Sequence, residues 1–177
     1  MSQIGLQEGT VKLASYSTAW RRKFQAEQRR LANRLAPRRY KMEHIGSTAV
    51  PGIDAKPIID IAMQIPSFRC LKTWIALLES AGYQYKGEYG LPGRHFFTRG
   101  TPVLQHLHLV SPETHHWNDW LLFRDFLRSH PSAAEHYRLT KQALARRFSK
   151  DRDAYTRAKT PLVRKLMRAA RQWRPIP

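Results

Sequence analysis

Apolar positions along this chain mark out a helix, two strands, a second helix, three more strands and a helical tail. Trp20, Phe24, Glu27, Leu31 and Leu35 recur at the spacing of one helix face, and only Glu27 breaks the stripe. Ser17 is a candidate N-cap, and the pattern stops near Pro37. Arg21, Arg22, Lys23, Arg29, Arg30 and Arg34 fill much of the remaining surface, so this first helix is basic and amphipathic. Docking on the domain is the favoured role, with a membrane surface as the less favoured one. Residues 40–45 and 57–65 read as strands. Pro66-Ser67 then breaks the pattern, and Ser67 can cap a helix with Leu71, Trp74, Ile75, Leu78 and Ala81 inward and Gly82 just past its end. Cys70 falls in this apolar helical stretch, where burial is expected.

Residues 83–86 read as a strand, and residues 87–93, with three glycines and Pro92, as a turn or mobile loop. Residues 94–99 and 103–110 form two more strands, joined as a hairpin through Gly100-Thr101-Pro102. From residue 113 the chain is helical. One helix carries Trp117, Trp120, Leu121, Phe123, Phe126 and Leu127 and ends at His130-Pro131. Ser132 and Glu135 have the spacing of a capping box for the next, with Tyr137, Leu144 and Phe148 inward. The last helix starts near residues 151–153 and contains Pro161, which is expected to kink or break it. Residues 11–13 are a short strand or an extended lead-in. The order predicts an α+β fold, a mixed β-sheet with helices packed on one face and a C-terminal helical cap. A single domain over residues 1–177 is expected, with residues 1–10 as a loose N-terminal arm.

Charge changes the picture most. The 177 residues include 31 Lys and Arg against 13 Asp and Glu, a formal charge of +18. Such a surface draws anions such as nucleic acid, nucleotides or acidic lipid. The single cysteine rules out an intramolecular disulfide and fits a reducing cytoplasm. No apolar run approaches the ~20 residues that span a bilayer, and the N-terminus lacks the form of a signal peptide. A soluble cytoplasmic protein is expected. Walker A, Rossmann glycine, Cys-x-x-Cys and Gly-x-Ser-x-Gly patterns are missing, which removes several enzyme classes.

The chemistry centres on residues 43–63. Gly46-Ser47, Pro51, Gly52 and Lys56 lie between the first two strands, and the second strand carries Asp60 in an apolar run. Glycines admit a ligand close to the backbone, loop N–H groups can form an anion site, and Lys56 adds a positive charge. A charged carboxylate in an apolar strand is costly unless paired or metal-bound. Asp60 is thus a candidate ligand for Mg²⁺, with an ion pair to Lys56 or an arginine as the plain alternative. His106 and His108 project from one face of their strand while Leu107 and Leu109 enter the core. If that strand neighbours Asp60, the imidazoles could share a transition metal with it. Glu43 and His44 border the same cleft, and strand alternation lets only one of them face it. Arg94 after Gly93, and Lys141 and Lys159 on the later helices, could reach a phosphate. His115-His116 is read as structural or surface.

His44-Ile-Gly-Ser-Thr-Ala-Val-Pro-Gly with Ala55-Lys-Pro-Ile-Ile-Asp-Ile61 resembles the signature of the GrpB family. The likeness extends through Val11-Lys-Leu-Ala-Ser-Tyr with Trp20, Gly93-Arg-His-Phe-Phe97, His106-Leu-His108, Phe123-Arg-Asp-Phe-Leu-Arg128 and Asp153-Ala-Tyr-Thr-Arg-Ala-Lys159. That family is placed in the nucleotidyltransferase superfamily, with the polymerase-β-like fold. The resemblance therefore implies a minimal nucleotidyltransferase core in which Gly46, Ser47, Lys56 and Arg94 hold phosphate and Asp60 is the catalytic carboxylate. His106 and His108 become co-ligands of a Mg²⁺ or Mn²⁺ ion, or of Zn²⁺. The superfamily pattern is Asp-x-Asp, and here the second position is Ala62, a lack common among GrpB relatives. Two expectations follow. One is a protein binding a nucleotide or phosphorylated small molecule with a divalent metal, able to carry out nucleotidyl or phosphoryl transfer. The other is a catalytically inactive module using its basic surface for RNA or an acidic partner.

Overall fold

The computed structural model describes residues 4–173. Its strands are β1 (Lys41–Ile45), β2 (Ile59–Gln64), β3 (Gln84–Tyr85), β4 (His95–Arg99) and β5 (Gln105–Val110). They form one sheet in the order β1-β2-β5-β4-β3. β2 and β5 are parallel and every other pair is antiparallel, so the sheet is mixed. A parallel pair needs a long crossover, and here it runs through a helix and the two outer strands. The helices are α1 (Ala19–Leu35), α2 (Leu71–Ser80), α3 (His116–Ser129), α4 (Pro131–Arg147) and α5 (Arg152–Gln172).

Strand alternation sorts the side chains into two faces. One face carries Ile59, Ile61, Met63, Phe97, Leu107 and Leu109 and is covered by α1 and α2. The apolar stripe of α1 lands there, with Trp20, Phe24, Glu27, Leu31 and Leu35 all buried. Glu27 is no defect in that stripe. Its carboxylate accepts from Tyr83 Oη at 2.8 Å and from Arg30 Nη2 at 2.6 Å, with Arg99 Nη1 at 3.5 Å. Burial alone would raise the Glu27 carboxyl, but these bonds and charges outweigh it and hold it below the usual value. The opposite face carries Glu43, Ile45, Asp60, Ala62, Phe96, His106 and His108. There α3 closes one end through Trp117, which packs with Ile45, Ala62 and Val110. The C-terminal helices assemble on one another through Phe126, Leu127, Tyr137, Leu166 and Ala170.

Several local expectations are corrected. Cys70 is exposed, because it ends a short 3-10 turn, Phe68–Cys70, ahead of α2 rather than lying on its buried face. The strand expected over 83–86 shortens to Gln84–Tyr85, and residues 11–13 contribute only the neighbouring bridge of Ala14 to Ala55. No capping box opens α4. Pro131 occupies the first turn after His130, so Ser132 is already inside the helix and Glu135 pairs with Arg138 at 2.6 Å. Pro161 does not end α5, which continues to Gln172 while Leu162 and Val163 beside it pack into the helical core. Residues 1–3 lie outside the described residues. From Gly5 the N-terminal stretch is docked: Gly5 N donates to Pro57 O at 2.8 Å, and Leu6 is buried against Ile58 and Val103.

Candidate functional site

The turn after β1 is held by close approach. Gly46 has φ +69° and ψ −171°, a region open essentially to glycine alone. A Cβ placed on it would lie 2.6 Å from Asp60 Oδ2 and 3.0 Å from Asp60 Cβ. Glycine at this point lets the backbone lie directly against the carboxylate. From the other side α3 clamps the turn. Arg128 Nη2 donates to Ala49 O at 2.7 Å, and Arg124 Nη1 donates to His44 O at 3.0 Å and to Glu43 Oε2 at 2.8 Å. Glu43 is therefore the residue of the 43–44 pair on the site face, and Arg124 neutralises it. His44 points to the other face, bonded to Thr48 Oγ1 at 2.9 Å and stacked on Phe24. Burial, with the nearby Arg128 and Arg124, pushes its pKa down to about 4 against the pull of Asp60.

Asp60 does neighbour the two histidines, because β2 pairs in register with β5 as Asp60 to His106 and Ala62 to His108. His106 Nδ1 donates to Asp60 Oδ1 at 3.0 Å, and His108 Nε2 lies 3.8 Å from the same oxygen. Arg94 Nη1 approaches His108 Nδ1 at 3.4 Å; an arginine can only donate, so that nitrogen accepts and the proton of His108 sits toward Asp60. Burial would raise the Asp60 carboxyl, but the hydrogen bonds of His106 and His108 hold it well below the carboxylate range. Burial lowers His108, with Asp60 opposing. The ion pair of Asp60 with Lys56 or an arginine, the plain alternative, is replaced by this imidazole pair: no Lys or Arg nitrogen lies within 4.0 Å of it among the described residues.

Arg94 lines the cavity over this sheet face and also holds the loop beside it. Its Nη2 donates to Glu88 O at 2.8 Å and Tyr89 O at 2.7 Å, so it struts the glycine-rich 87–93 loop over the sheet. Tyr89, at φ +47° in that loop, stacks on Phe96.

Between this face and the C-terminal helices lies a cavity of about 670 Å³, lined by Gly46, Ser47, Lys56, Asp60, His106 and His108 among others. Such a volume suits a small molecule. Seven lining side chains are Lys or Arg and only three are Asp or Glu. Lys56, Lys141, Arg152 and Lys159 come from three separate segments. Lys141, a candidate to reach a phosphate, lines the cavity and is only 2% exposed; its ammonium donates to Asp54 O and lies 4.9 Å from the Tyr137 ring centre. Burial and the charge of Lys159 lower its pKa well below the usual lysine value. Lys56 is pushed down to about 8 by burial, then by Arg152 and Lys159. Tyr155 and Thr156 enter the sequence reading only within the block of residues 153–159, and Arg152 and Thr160 not at all, although Arg152, Thr156, Lys159 and Val163 repeat at helical spacing along one face of α5.

A resident divalent ion does not fit this donor set. Among the described residues no group of three His, Cys, Asp or Glu is arranged to hold a metal. The imidazoles of His106 and His108 are 6.5 Å apart between centres, and Ala62, where a second carboxylate would stand, is fully buried beneath Trp117.

The family model described as GrpB protein matches residues 10–169. The chain belongs to the GrpB family. A UPF0157 protein of Pseudomonas aeruginosa is 42% identical over 165 residues, covering 89% of this chain and 66% of that protein. The chain spans between 48% and 66% of the first two curated relatives it matches. The crystal structure of the conserved protein GrpB from Enterococcus faecalis has a TM-score of 0.84 at 32% identity, covering 91% of this chain and 98% of that one. The Cid1 poly(U) polymerase shows a far weaker likeness, with a TM-score of 0.44 at 10% identity over 72% of this chain and 45% of that one. No described helix of this GrpB protein is long and apolar enough to cross a membrane.

Proposed function

We propose that this GrpB protein binds a nucleotide or similarly phosphorylated small molecule in the cavity above Asp60. The observation that carries this reading is the cationic lining: Lys56, Lys141, Arg152 and Lys159 converge on a cavity otherwise walled by Tyr137, Tyr155, Phe123 and Trp120. Ammonium and guanidinium groups complement phosphate, and aromatic walls suit a base or other flat group. Gly46 and Ser47 border the same space. Asp60 and His106 supply the polar chemistry. With its Nδ1 proton directed at Asp60, His106 presents Nε2 as an acceptor, able to take a proton from a ligand hydroxyl. Binding without two-metal transfer is favoured, because Ala62 is sealed beneath α3.

The test is a thermal-unfolding titration with ATP, GTP, CTP, UTP and AMP, each in EDTA and with Mg²⁺ or Mn²⁺. Saturable binding to the native state raises Tm, by the equivalent of about 2.7 kcal/mol when ligand is a hundredfold above Kd. A saturable rise that is lost in Lys159→Ala and altered in Asp60→Asn is expected. Equal, weak rises with every polyanion, indifferent to both substitutions, would sink the reading. The second reading is RNA binding on the outer basic surface. It is favoured by the charge of +18, and would appear as a steep fall of RNA affinity with salt that ignores Lys159.

A further inference from the structure

Resting on the phosphorylated-ligand reading, we propose that the cavity is built for two or more linked phosphates, held by the ammonium groups of Lys56, Lys141 and Lys159 without a divalent ion sharing their charge. The three lysines come from the loop before β2, from α4 and from α5, and they converge on two tyrosines. Lys56 Nζ is 5.9 Å and Lys159 Nζ 5.5 Å from the Tyr155 ring centre, while Lys141 Nζ is 4.9 Å from that of Tyr137. Among the described residues none of the three makes an ion pair within 4.0 Å. Their carboxylate neighbours are engaged elsewhere: Asp60 with His106, and Asp54 with Arg138 and Gln142. Lys159 opposes the charge of both Lys56 and Lys141, and Lys56 opposes that of Lys141.

Three like charges gathered in a partly closed cavity repel one another and lose hydration together. Cation–π contacts offset little of that. A single phosphate, with at most two negative charges, cannot neutralise the cluster, whereas a linked di- or triphosphate carries three or four. A divalent cation among these ammonium groups would add to the repulsion, and of the three acids lining the cavity Asp60 is already bonded to His106. Recognition by fixed lysines thus fits the chemistry of the cavity better than recognition through bridging Mg²⁺.

Isothermal titration calorimetry with inorganic orthophosphate, pyrophosphate and tripolyphosphate, at constant ionic strength in EDTA or in excess Mg²⁺, tests this. In EDTA, tripolyphosphate should bind at one site, at least tenfold more tightly than pyrophosphate and a hundredfold more tightly than orthophosphate. Mg²⁺ should leave the affinity unchanged or weaken it. Lys159→Ala, and separately Lys56→Ala, should each cost tenfold or more toward tripolyphosphate. Arg22→Ala with Arg29→Ala, on the exposed face of α1, should cost less than twofold. Each variant is first checked for a cooperative unfolding transition. Binding that requires Mg²⁺ would overturn this inference and leave the phosphorylated-ligand reading standing. Equal losses in the α1 variant and in Lys159→Ala would overturn it by moving the contact to the surface. No binding of tripolyphosphate or of any nucleotide, with or without metal, would overturn both.

Discussion

Replacing Gly46 by alanine tests the contact on which the site geometry depends. The residue sits at φ +69° and ψ −171°, where a non-glycine residue costs about 1–3 kcal/mol of backbone strain. The added Cβ would also meet Asp60 Oδ2 at 2.6 Å, Cβ at 3.0 Å and Cγ at 3.1 Å. All three distances are tight, and Asp60 is fixed by its bond to His106. Overpacking of that kind costs about 1–3 kcal/mol more. The whole penalty is therefore about 2–6 kcal/mol, a large part of the ~5–15 kcal/mol that stabilises a typical domain. The two parts separate in a double-mutant cycle. Asp60→Ala removes Oδ2 and Cγ but leaves its Cβ, so Gly46→Ala should cost about 1–2 kcal/mol less in that background. Urea unfolding followed by tryptophan fluorescence gives the four stabilities. A cost below about 0.5 kcal/mol, or one identical in both backgrounds, would refute the claim that close approach to Asp60 dictates glycine here.

Glu27→Ala should cost about 3 kcal/mol in chemical denaturation, since it leaves Arg30 and Tyr83 without their buried carboxylate. His44, buried with a pKa of about 4, gives an acid-sensitive step. Between pH of about 6.5 and about 4 the unfolded chain takes up a proton that the native His44 refuses, so stability falls by about 3 kcal/mol as pH drops. In His44→Leu that acid limb should be shallower by about this amount, read from urea midpoints across the range. Lys56 has a pKa of about 8 without ligand, and phosphate favours its charged form. Affinity for tripolyphosphate should therefore fall as pH rises through about 8, while Lys56→Arg, charged throughout, flattens the calorimetric profile.

Where period and local rule coincide, the sequence is legible. The stripe from Trp20 to Leu35 predicts α1 and its buried face. The alternation of His106 and His108 with Leu107 and Leu109 predicts which side chains enter the core. Cys70 misleads because a helical apolar pattern starts one turn before the helix does, and the turn exposes it. Pro161 misleads because a proline's local cost competes with the packing of Leu162, Val163 and Leu166 on both sides of it. The parallel pairing of β2 with β5 is a long-range choice that no local pattern encodes. It is nonetheless what joins Asp60 to His106.

The site divides along the same line. Its short-range half, Gly46 against Asp60 on adjoining strands, can be read from residues 46–60. Its long-range half cannot. Lys141 can be named from sequence as a cation able to reach a phosphate, but its burial over Tyr137 comes only with the fold. Arg94 can be picked out as a cation after Gly93, but its hold on the carbonyls of Glu88 and Tyr89 comes only with the fold. The missing acid at residue 62 and the buried lysines have one structural origin. The C-terminal helices lie over this face of the sheet, where α3 seals Ala62 beneath Trp117 while α4 and α5 carry Lys141, Arg152 and Lys159 to the cavity. A second carboxylate at residue 62 would be desolvated against an indole, at a cost of several kcal/mol unless it found a partner. Fixed cations facing the open part of the cavity carry no such cost once a polyanion arrives. The packing that seals residue 62 thus also sets the charge of the cavity.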